Sequence, residues 1–288
     1  MKNYAIFTDS GCDISTDKLK EWGVVHAELT FRFDGDDKVY SNADLTTDEF
    51  YAKMREGAVA KTAAVNPDEF ASAFEPILKD GRDILYIGFS GGLSTTSNSA
   101  RIAAKSLEDT YPDRKIAVID TLAASAGQGM LVYLAVKKQE EGATLEENEK
   151  YVRELMPRLC HWFTVDDLVY LKRGGRISPA AAFFGNMLGI KPVLHVDDEG
   201  HLVAVQKVRG RKTAVETLAA KYAELAEDAA SGPVFVSHAD CIKDVNALND
   251  ILMAKHGRGI DMIENVGPVI GAHAGPGTLA LFFIGKNR

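Results

Sequence analysis

Cysteine is scarce in this sequence: Cys12, Cys160 and Cys241 are its only three, and they are scattered without metal-ligand spacing. An odd, dispersed set fits no disulfide framework and no structural zinc site, and the expected compartment is a reducing cytoplasm. Long apolar runs are missing too, since no window supplies the ~20 apolar residues that span a bilayer. The stretch Thr121–Val136 comes nearest and is interrupted by Gly127, Gln128 and Gly129. The opening residues, Met1 to Asp9, lack the apolar segment and small-residue cleavage site of a secretory signal. Stable membrane insertion is therefore not expected, while transient contact with a membrane is compatible with the sequence. Basic charge is in deficit, with 33 Lys and Arg against 41 Asp and Glu, a net charge of −8 and no dense basic tract. Nucleic-acid binding, which leans on neutralising phosphates, is not expected.

What is present is the composition of a folded globular chain, 46% hydrophobic and 26% charged. Its 288 residues suffice for two domains, each with a core. In the first half the apolar runs Tyr4–Phe7, Asp83–Phe89 and Lys115–Ile119 alternate with helical patterns, and Val24–Phe33 reads as a further strand. That alternation predicts an α/β domain with a parallel sheet. In the second half, Pro192–Val196 and His201–Val205 flank the turn Asp197-Asp-Glu-Gly200, which predicts a hairpin and so a mixed sheet. The boundary is placed near residue 157, giving domains 1–157 and 158–288.

Several stretches carry candidate chemistry. Val266–Gly277 packs four glycines and two prolines into twelve residues around His273. Glycine permits positive φ and proline fixes φ, so the stretch reads as a shaped loop that presents the imidazole; taken alone, a tight strand connection explains it better. Ser90-Gly-Gly-Leu-Ser-Thr-Thr96 joins a buried strand to a helix whose first turn, with its unpaired N–H groups, suits an anion. Ser94, Thr95 and Thr96 would add hydroxyl donors, although an ordinary N-cap is as good a reading. The lysine of a phosphate-binding loop and the G-x-G-x-x-G spacing of a dinucleotide fold are both absent. Asp9, in Thr8-Asp-Ser-Gly-Cys-Asp13, is better explained as a turn residue than as a catalytic partner. His195 and His201 face each other across the expected hairpin but lack a third ligand, so no metal is expected. Arg173 and Arg176 flank two glycines in a basic turn, read either as solvated or as a grip for an anion or partner. The run Pro179–Ile190 carries no charge and reads as helical core, or as the wall of a cavity for an apolar ligand.

In combination these stretches resemble the DegV family of fatty-acid-binding proteins, over nearly the whole chain. The resemblance rests on Asp9-Ser-Gly-Cys-Asp13, the Thr62 segment through Pro67, Ser90–Thr96, Asp120-Thr121, Leu168–Ser178, Ile190-Lys-Pro192 and Gly267–Gly277. It implies a two-domain α/β fold, parallel in the first domain and mixed in the second, with an acyl chain buried between them. It further implies that the carboxylate is held by Thr62, Ser94 with the adjoining Thr95, and His273. Phe183, Phe184, Met187, Leu188 and Ile270 are the implied pocket lining. No cofactor is implied, only the bound fatty acid. The implied partner is a separate ATP-dependent fatty acid kinase that phosphorylates the carboxyl; Arg173 and Arg176, in the densest basic turn, whose glycines permit close approach, are expected at the docking face. Two positions depart from the family pattern: Ala63 where serine is usual, and Thr95 where glycine is usual. The alternatives are a serine hydrolase built on Ser94 and His273, or a sensor that carries lipid as a plug; no G-x-S-x-G elbow supports the hydrolase.

Overall fold

The computed structural model of the chain describes residues 3–177 and 189–288. The expected alternation forms a parallel four-stranded sheet in the order β2 (Val25–Ala27), β1 (Tyr4–Asp9), β6 (Asp83–Gly88), β7 (Ile116–Asp120). Every residue of β1 is buried, which is why its sequence runs apolar instead of alternating, as strands covered on both faces do. Val24–Phe33, expected as one strand, is divided. Ser10 Oγ accepts from Leu29 N at 2.9 Å at the break, and β3 (Thr30–Phe33) leaves the main sheet. It pairs with β4 (Tyr40–Ser41) and β5 (Ala60–Ala63) in a small antiparallel sheet. Thr62, which reads as a loop residue, therefore sits on a strand opposite Phe31. A four-residue strand is too short for its periodicity to be read from sequence. Helices α1 (Thr16–Glu21), α2 (Thr47–Arg55) and α3 (Pro67–Lys79) complete this region. Capping boxes formed by Thr46 with Glu49 and by Asn66 with Glu69 start the last two.

Helices α4 (Thr96–Leu107), α5 (Ala126–Glu140) and α6 (Leu145–Leu155) lead to the second sheet. Its six strands run β10 (Leu202–Arg209), β9 (Ile190–Val196), β8 (Leu159–Thr164), β13 (Leu279–Ile284), β11 (Val234–His238), β12 (Met262–Asn265), antiparallel except for the last pair. The β9–β10 hairpin forms, but its register sets Val203 opposite His195 and Leu202 opposite Val196. His201 lies in the turn and His195 stacks on Trp162 at 5.1 Å, so the two histidines do not face each other. Helices α8 (Arg211–Leu225) and α9 (Ile242–His256) cover the outer face, where Val215, Leu218, Val245 and Leu248 meet Trp162 and Val236. Two short helices, α7 (Val169–Arg173) and α10 (Pro268–Ala274), lie near the junction of the two halves. Among the described residues no helix is long and apolar enough to cross a membrane.

Between the sheets lies α5. Its apolar residues surround the helix instead of forming one stripe, because it packs on β1 and β6 on one side and on β8, β11 and β13 on the other. The glycines that interrupt Thr121–Val136 allow this approach. A Cβ on Gly127 would collide with His161 and Phe282 of the second sheet, and one on Gly129 with Ile14 beside the first. A single apolar cluster thus runs from Ile6 and Leu85 through Met130 to Phe163 and Phe282. Gly127→Val should consequently lower the unfolding free energy by about 3 kcal/mol, the upper end of overpacking costs. Urea denaturation that finds the variant as stable as the parent would show that α5 does not lie this close.

Candidate ligand site

Between the two halves, beside α5, is a cavity of about 470 Å³. That is within the roughly 300–1,000 Å³ typical of sites for small organic ligands. Leu29 and Phe89 from the first half, and Phe163, Val196, Ile270 and Phe282 from the second, give it apolar walls. Thr62, Ser94, Thr95, Arg176 and His273 also line it.

The serine loop is shaped by buried hydrogen bonds. Asp9 lies at the end of β1, where its carboxylate accepts from Gly11 N and Phe89 N, each at 3.0 Å, and from Tyr86 Oη at 2.6 Å. Asp120 Oδ1 accepts from Gly91 N at 2.9 Å, and Thr121 Oγ1 donates to Gly88 O at 2.6 Å. From the other half, the β9–β10 turn closes on the loop: Ser90 Oγ donates to Gly200 O at 2.8 Å, and a Cβ on Gly92 would meet Glu199 O and Gly200 O. Asp9 and Asp120 thus set the path of the loop. The loop ends at α4, where Thr95 is the N-cap and makes no side-chain capping bond. Ser94 Oγ instead accepts from Thr96 N at 3.3 Å and lies 2.8 Å from Thr96 Oγ1. Thr95 is exposed, at the site where glycine was the expected family residue.

The stretch Val266–Gly277, expected as a loop, contains α10. Proline is tolerated in a first helical turn, and here Pro268 follows the N-cap Gly267, while Gly275 ends the helix at φ 80°. Gly271 lets the helix rest against Phe50 and Tyr51. His273 is on its last turn, with Nε2 2.8 Å from Thr62 Oγ1. Its Nδ1 is buried, packs against Gly174, and has no partner among the described residues. Burial, assisted by the nearby Arg176, holds the imidazole down to about 4, so it is neutral at pH 7.

The structure separates the two arginines. Arg173 is exposed and lies over the Tyr170 ring at 5.7 Å. Arg176 is half-buried at the cavity, where it donates to Leu93 O at 3.1 Å and to Gly174 O. No carboxylate pairs with it among the described residues, and burial lowers its pKa. A partly desolvated guanidinium without a counter-charge is electrostatically suited to an anion.

Thr62, Ser94, Thr95, Arg176, His273 and Ile270 therefore converge on one cavity. Phe183, Phe184, Met187 and Leu188 lie outside the described residues. Ser94 and His273 share no hydrogen bond, each pairing elsewhere, so the catalytic dyad of the hydrolase alternative is not assembled. The three cysteines are free, and no cluster able to hold a metal occurs among the described residues. Sequence reading missed Ser125, His161 and Ser237, which also line the cavity. His161 and Ser237 lie within apolar strands, and their cavity-facing role follows only once strand register is known. Burial holds the His161 imidazole well below its usual range.

The model of the DegV family of uncharacterised proteins matches residues 3–286. A DegV domain-containing protein of Clostridium perfringens is 39% identical over 289 residues, covering 100% of this chain and 99% of that protein. Solved structures are similar throughout. A DegV family protein from Thermus thermophilus, described by its fatty acid binding, gives a TM-score of 0.88 at 32% identity over 98% of this chain and 99% of its own. A stearic acid-binding protein from Eubacterium ventriosum gives 0.88 at 27% identity over 98% of each chain. DegV, a fatty acid binding protein from Bacillus subtilis, gives 0.82 at 26% identity over 99% of this chain and 100% of its own.

The depressed imidazole predicts a pH dependence. Between about 4 and 6.5 the unfolded chain binds a proton that the folded His273 refuses, so this contribution to stability is present above 6.5 and is lost as the pH falls towards 4. An NMR titration of the ligand-free protein should place the His273 midpoint near 4, and a midpoint in the ordinary histidine range would show that the site is wetter than described.

Proposed function

The chain belongs to the DegV family, and from that premise we propose that it binds a long-chain fatty acid in the cavity and presents the carboxylate to a separate ATP-dependent kinase for conversion to an acyl phosphate. The observation that carries this reading is the guanidinium of Arg176, which no carboxylate pairs among the described residues, set beside hydroxyls and a neutral imidazole in a largely apolar cavity. Burying an alkyl tail contributes ~0.8 kcal/mol per methylene, so an acid of about 16 carbons gains on the order of 10 kcal/mol before ordering costs. The tail supplies affinity. A carboxylate would lose its hydration on entry, and Arg176, Thr62, Ser94 and the amides at the start of α4 replace it with fixed donors. His273, being neutral, serves as a hydrogen-bonding group and Arg176 supplies the charge.

The kinase partner is what the family resemblance implies, and the sequence is compatible with it. Phosphoryl transfer needs a cradle for the nucleotide phosphates, and the lysine-bearing loop that provides one in common phosphotransferases is missing here. On this reading the phosphoryl donor comes from a partner that approaches the carboxylate. In this reading the exposed Arg173, three residues before the cavity-lining Arg176, belongs to the surface that meets that partner.

Native mass spectrometry of freshly purified protein should detect a bound fatty acid; an empty protein that also ignores added fatty acids would sink the proposal. Arg176→Ala should weaken binding of the acid by about 10- to 100-fold, the effect of losing a hydrogen bond to a charged group, and leave binding of the methyl ester far less affected. Arg173→Ala should bind lipid as the parent does but lose kinase-dependent turnover, and undiminished turnover would remove Arg173 from the docking face.

A further inference from the structure

The turn between β9 and β10 is gripped at two points by side chains outside it. At one, Ser90 Oγ donates to Gly200 O at 2.8 Å, and a Cβ on Gly200 would strike Ser90 Oγ, so the turn presses directly onto the serine loop. The other grip is Arg288. Its Nη1 donates to Asp197 O at 3.0 Å, its Nη2 to Met156 O at 3.0 Å and its Nε to Leu159 O at 3.3 Å. One planar guanidinium thus joins the turn to the segment through which the chain enters β8. The chain just before Arg288 is itself fixed, with Cys160 Sγ donating to Asn287 O at 3.2 Å and Lys286 N to Leu225 O at 3.0 Å.

The turn transmits this grip because it is closed on itself. Asp197 O also accepts from Gly200 N at 3.0 Å, and Asp197 Oδ1 accepts from Glu199 N at 3.0 Å and from His201 N at 2.8 Å. A shift of Asp197 therefore carries Gly200 with it. Gly200 O holds Ser90, and Ser90 O in turn accepts from Leu93 N at 3.1 Å and Ser94 N at 3.0 Å. At these two residues the loop meets the ligand cavity: Ser94 lines it, and Leu93 O receives Arg176 Nε at 3.1 Å. A continuous series of hydrogen bonds so leads from Arg288, which is not part of the cavity wall, to two of the polar groups that are.

We propose that Arg288 is a positioning residue for the carboxylate site: by fixing Asp197 O it fixes the β9–β10 turn, and through Gly200 and Ser90 it sets the placement of Ser94 and Arg176. The inference rests on the fatty-acid reading above and adds to it a residue from outside the cavity. A group that acts in this way governs the hold on the ligand's head and leaves the apolar walls around the tail as they are. Loss of a merely structural support would weaken head and tail alike. Lysine at position 288 keeps the charge but lacks the planar fork, so it can hold fewer of the three carbonyls at once.

The test compares palmitic acid with its methyl ester on the delipidated full chain of the parent, of Arg288→Ala and of Arg288→Lys. Arg288→Ala should bind the acid about tenfold more weakly than the parent, the effect of misplacing one hydrogen bond to a charged group, and bind the ester within about twofold of it. Arg288→Lys should fall between the two. Equal losses for acid and ester, or no loss for the acid, would overturn the positioning role while leaving the fatty-acid reading intact. Failure of the parent to bind palmitic acid would instead overturn that reading. Hydrogen exchange on the parent decides the matter even where the alanine variant does not fold. Coupling is reciprocal, so the acid should slow exchange of the Gly200 amide as well as that of Ser94 relative to the ligand-free protein, and the ester should not. A Gly200 amide that the acid leaves unchanged, or that the ester slows as much, would overturn the proposal.

Discussion

The packing of α5 against two sheets is the contact on which the other features depend. A helix apolar on all sides is stable in water only when both flanks are covered, and here each flank belongs to a different sheet. The two halves of the chain are therefore tied by a common core, and the space left beside the helix is enclosed by both. Gly127 and Gly129 set how closely the sheets approach, and through that the width of what lies between them. Had α5 carried one apolar stripe, it would have bound one sheet, and the cavity would have opened to solvent.

Enclosure then governs the charges. A low-dielectric cavity penalises any ionised group, and the residues in and behind its wall respond in different ways. His273 and His161 are pushed towards their neutral forms, and Asp13 towards its protonated form. Arg176 cannot neutralise within the ordinary pH range, so it keeps its charge and, among the described residues, donates to carbonyl oxygens alone. The result is a cavity with a net demand for one negative charge at one end. That asymmetry, more than the volume, is the feature that the proposed fatty acid, with its anionic head, would match.

The serine loop illustrates how indirectly such a site is built. None of Asp9, Asp120 and Ser90 lines the cavity, yet their hydrogen bonds to Phe89 N, Gly91 N and Gly200 O fix the turn that delivers Ser94. Two come from strand ends of the parallel sheet, and the Ser90 bond reaches across to the hairpin of the second half. The loop is thereby registered against both halves at once, as Thr62 and His273 are by their shared hydrogen bond.

Composition, the run of buried strands and the glycine-rich motifs were enough to specify an α/β chain with a parallel first sheet and a mixed second one, because those signals are local. The same motifs single out Ser94 and His273, since hydroxyls beside a helix start and a histidine among glycines are unusual at short range, whereas Thr62 is reached only through the family resemblance. Other features depended on residues far apart in the chain. Whether Val266–Gly277 was loop or helix turned on Gly271 packing against Tyr51. Which arginine faced inward turned on Leu93 O being within reach of Arg176. That Ser237 and His161 belong to the cavity turned on strand register, which strands buried along their whole length, with no alternation to mark a face, do not reveal. Sequence by itself determined the elements and the polar groups available to a ligand; only the tertiary structure decided which of those groups share a cavity, because the pairing of sheets and the burial of charge are settled between segments, not within them.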